Sequence, residues 1–276
     1  MVNKIMVSVH SKRPLSGAAA TFVDAKSAAG RAAFPLSDLV KETGLSITAA
    51  KSQLLRLGNR VVRPTRKHQF YLIVAPEHRA MGAPPATWWL DDYFKWLGRS
   101  YYLALQSAAT TYGSAPQALQ VTQVMTGEPR REITVGRIRV SFFVKREITK
   151  TPTQPMANAF APLNVSTPEA TVFDLIRYAQ RIGGIGRAVE TLSPLLSLIR
   201  VAELKRLLET ENETSTAQRL GYVFEKLGKL RLAETVHAWL PSQLPLIPFA
   251  FAKRKPINAP IIQKWRVVNN AGESDL

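Results

Sequence analysis

PLSDLVKETGLSITAAKSQLLRLG, residues 35–58, places two short helical patterns in succession with a glycine between them. Ser37 can cap the first, Gly44 and Leu45 make the turn, and Ser46 can cap the second. Helices joined by so short a turn must cross steeply. On a 3.6-residue period Ile47, Ala50, Leu54 and Leu57 form one stripe, and Thr48, Ala49, Ser52 and Arg56 fall opposite, with Lys51 and Gln53 flanking them. The opposite face is short, polar and cationic, as a helix must be to enter a DNA major groove about 12 Å wide. Arg56 would read guanine and Gln53 adenine, with Thr48 and Ser52 as adaptable partners.

Beyond Gly58, Val61-Val62 and Phe70-Tyr71-Leu72-Ile73-Val74 are β-rich runs flanking a connection that carries Pro64 and several cations. This reads as a wing, with Arg63, Arg66 and Lys67 meeting phosphates. The expected DNA-binding set is therefore Ser46, Thr48, Lys51, Ser52, Gln53, Arg56, Arg63, Arg66 and Lys67.

Charge supports this direction. The 276 residues carry a formal net charge of +17, and a cation of that size in a globular chain points to a polyanionic partner. Residues 1–80 hold thirteen Lys and Arg against four Asp and Glu, whereas the other 196 residues hold 24 against 16, so the cation is denser at the amino-terminal end. No apolar run is long enough for a membrane span, and Met1 to Pro14, despite Lys4, Lys12 and Arg13, lacks the apolar centre of a secretory signal. The absence of cysteine excludes disulfides, thiolate nucleophiles and zinc fingers, and suits a reducing compartment. A cytoplasmic location with no membrane association is the expectation.

Length predicts two domains. The stretch from Pro76 to Ala86, with three prolines and a glycine, has neither period and divides a winged helix-turn-helix over residues 1–80 from a second domain over 87–276. In the second domain the pattern predicts helices over Trp88–Leu97 and Tyr101–Tyr112, then antiparallel strands within 118–148, where Ile138, Val140, Phe142 and Val144 alternate with polar residues. A proline-rich loop, Thr151–Pro162, follows. Thr167-Pro168-Glu169 starts a helix that runs to about Gln180, and Gly183, Gly184 and Gly186 interrupt it. Further helices are expected over Arg187–Leu198, Val201–Thr210, Ala217–Leu227 and Leu230–Leu240, and a tail from Pro241, with the basic run Lys253-Arg254-Lys255, should lie extended over the domain. The expected class is α+β: a winged helix-turn-helix plus a domain with a small antiparallel sheet and several helices.

Trp89-Leu90-Asp91-Asp92, the run Tyr101 to Ala109 with Tyr112-Gly113, Gln120-Val121-Thr122-Gln123-Val124, Arg137 to Val144 and Ser166 to Leu175 together resemble the AbiEi antitoxins of bacterial type IV toxin-antitoxin systems. The resemblance spans roughly residues 30–240 and rests on the order and spacing of patterns. It implies a winged helix that represses the antitoxin's own operon at inverted repeats, and a carboxy-terminal domain that antagonises a nucleotidyltransferase-like toxin, commonly without a stable complex. The family's wing often ends in an Arg-Gly-x-Tyr-like turn, whereas Lys67-His68-Gln69-Phe70-Tyr71 has no glycine. Residues 241–276 match nothing in it. The competing reading is a ligand-responsive winged-helix transcription factor without a toxin partner.

Other residues invite chemistry and are read more plainly. Gly113-Ser114 lacks the paired carboxylates of a nucleotidyltransferase before Glu128; Asp91-Asp92 suits a helix amino terminus; Gly183-Gly184-Ile185-Gly186 follows a helix and has no Lys-Ser/Thr. His10, His68, His78 and His237 are scattered, and Trp88, Trp89, Tyr93, Phe94 and Trp96 read as packing. No enzyme, cofactor or metal is expected. A second basic surface is possible at Arg130, Arg131, Arg137, Arg139, Lys145 and Arg146, facing DNA or a toxin's RNA substrate.

Overall fold

The computed structural model describes residues 17–114, 119–158, 160–251 and 259–271, so Met1 to Pro14 and Lys253-Arg254-Lys255 lie outside the described residues. The chain opens with α1 (Ala18–Ala28), β1 (Ala33–Pro35), α2 (Leu36–Thr43), α3 (Ile47–Arg56), β2 (Val61–Val62) and β3 (Phe70–Ile73). β3 pairs antiparallel with β1 on one side and β2 on the other. Gly44, at φ 68°, ends α2, and the Ser46 hydroxyl accepts the Ala49 N–H to start α3, as the sequence suggests. Ser37 does not cap: α2 begins at Leu36 after extended Pro35, which puts Ser37 inside the first turn, where its hydroxyl donates to Asp38.

Phe22, Val23, Phe34, Leu36, Leu39, Leu45, Ala50, Leu54, Val61, Tyr71 and Ile73 form one apolar cluster. β3 contributes Tyr71 and Ile73 to it, and its alternate residues Phe70 and Leu72 point the other way. These two, with Ala33, join a second cluster containing Trp89, Leu90, Tyr93 and Phe94 of the next segment. A strand buried on both faces reads as an uninterrupted apolar run, which accounts for Phe70-Tyr71-Leu72-Ile73. The segment 76–86 is therefore docked and not free. Arg137 N–H donates to Met81 O at 2.7 Å, and Arg31 bridges to Asp92 at 2.9 Å.

After α4 (Leu90–Leu97) the chain forms β4 (Tyr101–Leu103), α5 (Leu105–Thr111), β5 (Thr122–Thr126), β6 (Ile133–Val135), β7 (Ile138–Val144), β8 (Thr153–Met156) and β9 (Leu163–Ser166). These six strands make one sheet in the order β6-β7-β5-β4-β9-β8. Its class is α+β, as expected, but β5 runs parallel to β7 and β4 parallel to β9, so the sheet is mixed. Two elements correct the sequence reading. Tyr101–Leu103 is a central strand and not the start of a helix: Tyr102 packs on one face of the sheet, Tyr101 and Leu103 on the other, and helix begins only at Leu105. Thr153–Met156, read as loop, is the edge strand, where Pro155 opposes Asn164. An edge position tolerates the missing donor.

The helical layer follows as α6 (Pro168–Arg177), α7 (Ile185–Leu192), α8 (Val201–Glu211), α9 (Thr214–Lys226) and α10 (Leu230–Trp239), near the expected ranges. The Thr167 hydroxyl accepts from Ala170 N, completing the cap that Thr167-Pro168-Glu169 announces. The tail does more than lie across the surface. β10 (Ile247–Pro248), β11 (Ile261–Ile262) and β12 (Val267–Val268) form a small sheet ordered β10-β12-β11, and the fully buried Trp265 ring lies against Gly221 of α9, where a Cβ would overlap it.

Candidate nucleic-acid interface

On α3 the buried line is Ala50 and Leu54, and the exposed line is Thr48, Lys51, Ser52 and Leu55, spaced i, i+3, i+4, i+7. Ser46 and Arg56 are exposed beside it. Three residues depart from the expected wheel. Ile47, expected in the core, is 57% exposed; Ala49, expected outward, is half-buried against the cluster. Gln53 turns toward α1, where its carboxamide oxygen accepts the Ala19 N–H at 2.9 Å. That oxygen caps a helix start and faces away from the exposed line, against the expected adenine contact.

The connection between β2 and β3, expected as a wing, turns without glycine. Arg63 donates from its guanidinium to Arg66 O at 3.2 Å, holding the bend, and Pro64 is buried beneath it. Arg63, Arg66 and Lys67 remain exposed. His68 faces inward, with Nδ1 2.7 Å from Tyr93 Oη and its ring edge-on to Trp96. Burial lowers its pKa below the ordinary value, and the positive charges of Arg130 and Lys67 push it the same way. Lys26 pairs with Glu42, Arg60 with Asp24 and Arg31 with Asp92, whereas Lys51, Arg56, Arg66 and Lys67 take part in no ion pair among the described residues. Within residues 17–75 the exposed cations outside any ion pair among the described residues are therefore mostly those of α3 and the β2–β3 connection, with Lys41 on α2 besides.

The second basic surface is only partly assembled. Arg131, Arg137 and Arg146 are exposed, and Arg130 is half-buried with its guanidinium over the Phe94 ring at 5.2 Å. Arg139 is held by Glu132 at 3.0 Å, and that hydrogen bond lowers the Glu132 pKa. Lys145 is not on the surface. Its ammonium, 8% exposed, sits 3.1 Å from Asp174 and 2.6 Å from Glu211, which Arg177 also engages at 2.8 Å. Tyr102 donates to Asp174 at 2.8 Å. Burial raises the Asp174 pKa, opposed by Lys145. The sequence signal for this cluster was Asp174 itself, a carboxylate inside the apolar helix Thr171-Val172-Phe173-Asp174-Leu175-Ile176.

The remaining candidates have structural partners. Asp91 accepts from Tyr101 and pairs with Lys95 at 2.5 Å, and Asp92 pairs with Arg31. Ser114 is buried and donates to Thr191 O at 2.6 Å. Trp89, Tyr93 and Phe94 are core, while Trp96 is exposed. Among the described residues no helix is long and apolar enough to cross a membrane.

Residues 102–226, from the central strand β4 to the end of α9, match the family model of the AbiEi antitoxin C-terminal domain. That segment is similar to the AbiEi antitoxin C-terminal domain. Nearly all of the mixed sheet and the Lys145–Asp174–Glu211 cluster lie inside the matched segment, and α3 with the β2–β3 connection lies outside it. None of the curated proteins matches the chain. Among solved structures it is similar to the RV2827C protein from Mycobacterium tuberculosis, at 18% identity, with 96% of both chains covered and a TM-score of 0.65. That likeness concerns the fold, and it extends over the amino-terminal elements as well as the AbiEi domain.

Proposed function

We propose that the chain is a DNA-binding antitoxin that represses its own operon and antagonises a nucleotidyltransferase-like toxin of a type IV system. In this reading residues 1–80 are a winged helix-turn-helix, residues 87–276 are the antitoxin domain, and the protein works in the cytoplasm on inverted repeats of its promoter. The observation that carries it is the exposed line of α3 beside a cationic β2–β3 connection, with Lys51, Arg56, Arg66 and Lys67 in no ion pair among the described residues, in the same chain as a segment matching the AbiEi antitoxin C-terminal domain. A helix with short polar side chains can approach base edges, and wing cations can hold its register on phosphates. Neutralisation is assigned to the AbiEi domain and needs no stable complex with the toxin.

The test is a gel-shift titration on the promoter of the chain's own gene over a range of salt, run beside growth rescue from the neighbouring toxin gene. Four to six phosphate contacts should give a slope of log K on log salt of about −4 to −5. A slope near zero overturns DNA binding. Binding without rescue overturns the antitoxin role and leaves an ordinary regulator.

A further inference from the structure

Leu55 is 82% exposed, the most exposed of the large apolar side chains among the described residues. A single exposed leucine needs no explanation in general. This one is set apart by its surroundings. It is seven residues from Thr48, which at roughly 100° per residue brings it within about 20° of the same direction, at the middle of the outward face. Lys51 and Arg56 flank it, and with Lys51 and Arg63 it lines a cleft of about 370 Å³ between α3 and the wing. The hydroxyls nearest to it, on Thr48 and Ser52, are short, so the helix axis can come close to whatever it meets.

The centre of this face therefore holds no guanidinium or carboxamide, and Lys51, about 40° around the helix from Leu55, is the long donor at its side. Gln53 is turned to α1, and Arg56 points roughly 100° away from Leu55 around the helix. A bidentate guanine reader at the centre would need paired donors there, and an adenine reader a donor beside an acceptor. What the centre offers is apolar, inside a cationic frame. The major groove presents one apolar group on its floor, the thymine 5-methyl.

We propose that Leu55 is a specificity-determining residue that reads a thymine 5-methyl group in the major groove. The inference rests on the DNA-binding reading above. It moves the centre of base recognition from Arg56 to Leu55 and makes Lys51 and Arg56 partners of phosphate or of flanking bases.

The test begins with selection of duplexes from a random pool by the full chain. Each thymine of the enriched sequence is then replaced singly by deoxyuridine, which removes only the methyl. Loss of one buried methyl-sized group should weaken binding by about fourfold at one thymine position. Leu55→Ala, at an exposed site that leaves the fold intact by circular dichroism, should bind the thymine and uracil duplexes equally. Ile47→Ala, an exposed apolar residue off the central face, should keep the fourfold discrimination. Enrichment with no uracil-sensitive position, or a sensitivity that survives Leu55→Ala, overturns the assignment while DNA binding stands. If no duplex is enriched, the DNA-binding reading fails and the assignment with it.

Discussion

Gly82 lies against Gly136 so closely that a Cβ on Gly82 would come within 2.9 Å of the Gly136 Cα, and one on Gly136 would overlap Met81 O. Both residues have positive φ, 74° and 56°. The first residues after the amino-terminal unit are thus seated, backbone on backbone, on the β6–β7 turn.

Gly136→Ala should accordingly destabilise the protein by about 1–3 kcal/mol, from the left-handed backbone and the displaced segment together. Urea denaturation followed by tryptophan fluorescence measures it. A loss below about 0.5 kcal/mol would mean that the segment gives way without cost.

Gln53→Ala should cost about 1 kcal/mol of stability, because the Ala19 N–H loses its acceptor, and should leave the preferred DNA sequence unchanged. Repeating the duplex selection with this variant decides the matter. A changed consensus would return Gln53 to base reading.

Replacing Thr48, Ser52 and Arg56 together by alanine should abolish promoter binding and leave growth rescue intact when both proteins are expressed from unrelated promoters. The three side chains are exposed on α3, outside the AbiEi segment. A well-folded triple variant that fails to rescue would show that the two activities share a surface.

His68 predicts a pH dependence of stability. Its folded pKa lies below its unfolded value near 6.5, so the unfolded chain binds the extra proton first. The contribution is fully present above pH 6.5 and is lost as pH falls through the folded value. His68→Gln should flatten this part of the urea midpoint between pH 7.5 and 5.0; an unchanged slope would place the pH response elsewhere.

Asp174→Ala should be among the most damaging single changes, at about 3–5 kcal/mol, because it strips a partner from buried Lys145 and leaves that charge short of compensation. Exchanging Lys145 and Asp174 together for Met and Leu should recover much of the loss. If the double variant is no better than the single one, the carboxylate matters through Tyr102 and not through the ammonium.

Much of this was legible in the sequence. The Gly44 turn, the Ser46 and Thr167 caps and the helical layer follow from local chemistry, which acts over one or two turns. Tyr101-Tyr102-Leu103 was not legible as a strand, because three buried residues carry no period of their own and their state is set by neighbours twenty and sixty residues away. The same holds for the interface. Spacing along α3 marked Thr48 and Ser52 as outward, but Gln53 was decided by Ala19, a contact across thirty-four residues, and Lys145 by acids on α6 and α8. Leu55 shares the direction of Thr48 on the same wheel, and its 82% exposure agrees with that placement.

Trp265 fills the notch at Gly221 from forty-four positions further along the chain. On a ribosome adding roughly 5–20 residues per second, that notch stands open for several seconds after α9 has been made. During this interval the helical layer lacks its largest fully buried side chain, and Leu220, Tyr222 and Val223 are less well covered than in the finished protein. The slower the synthesis, the longer that apolar notch is presented to whatever else in the cell binds exposed apolar surface.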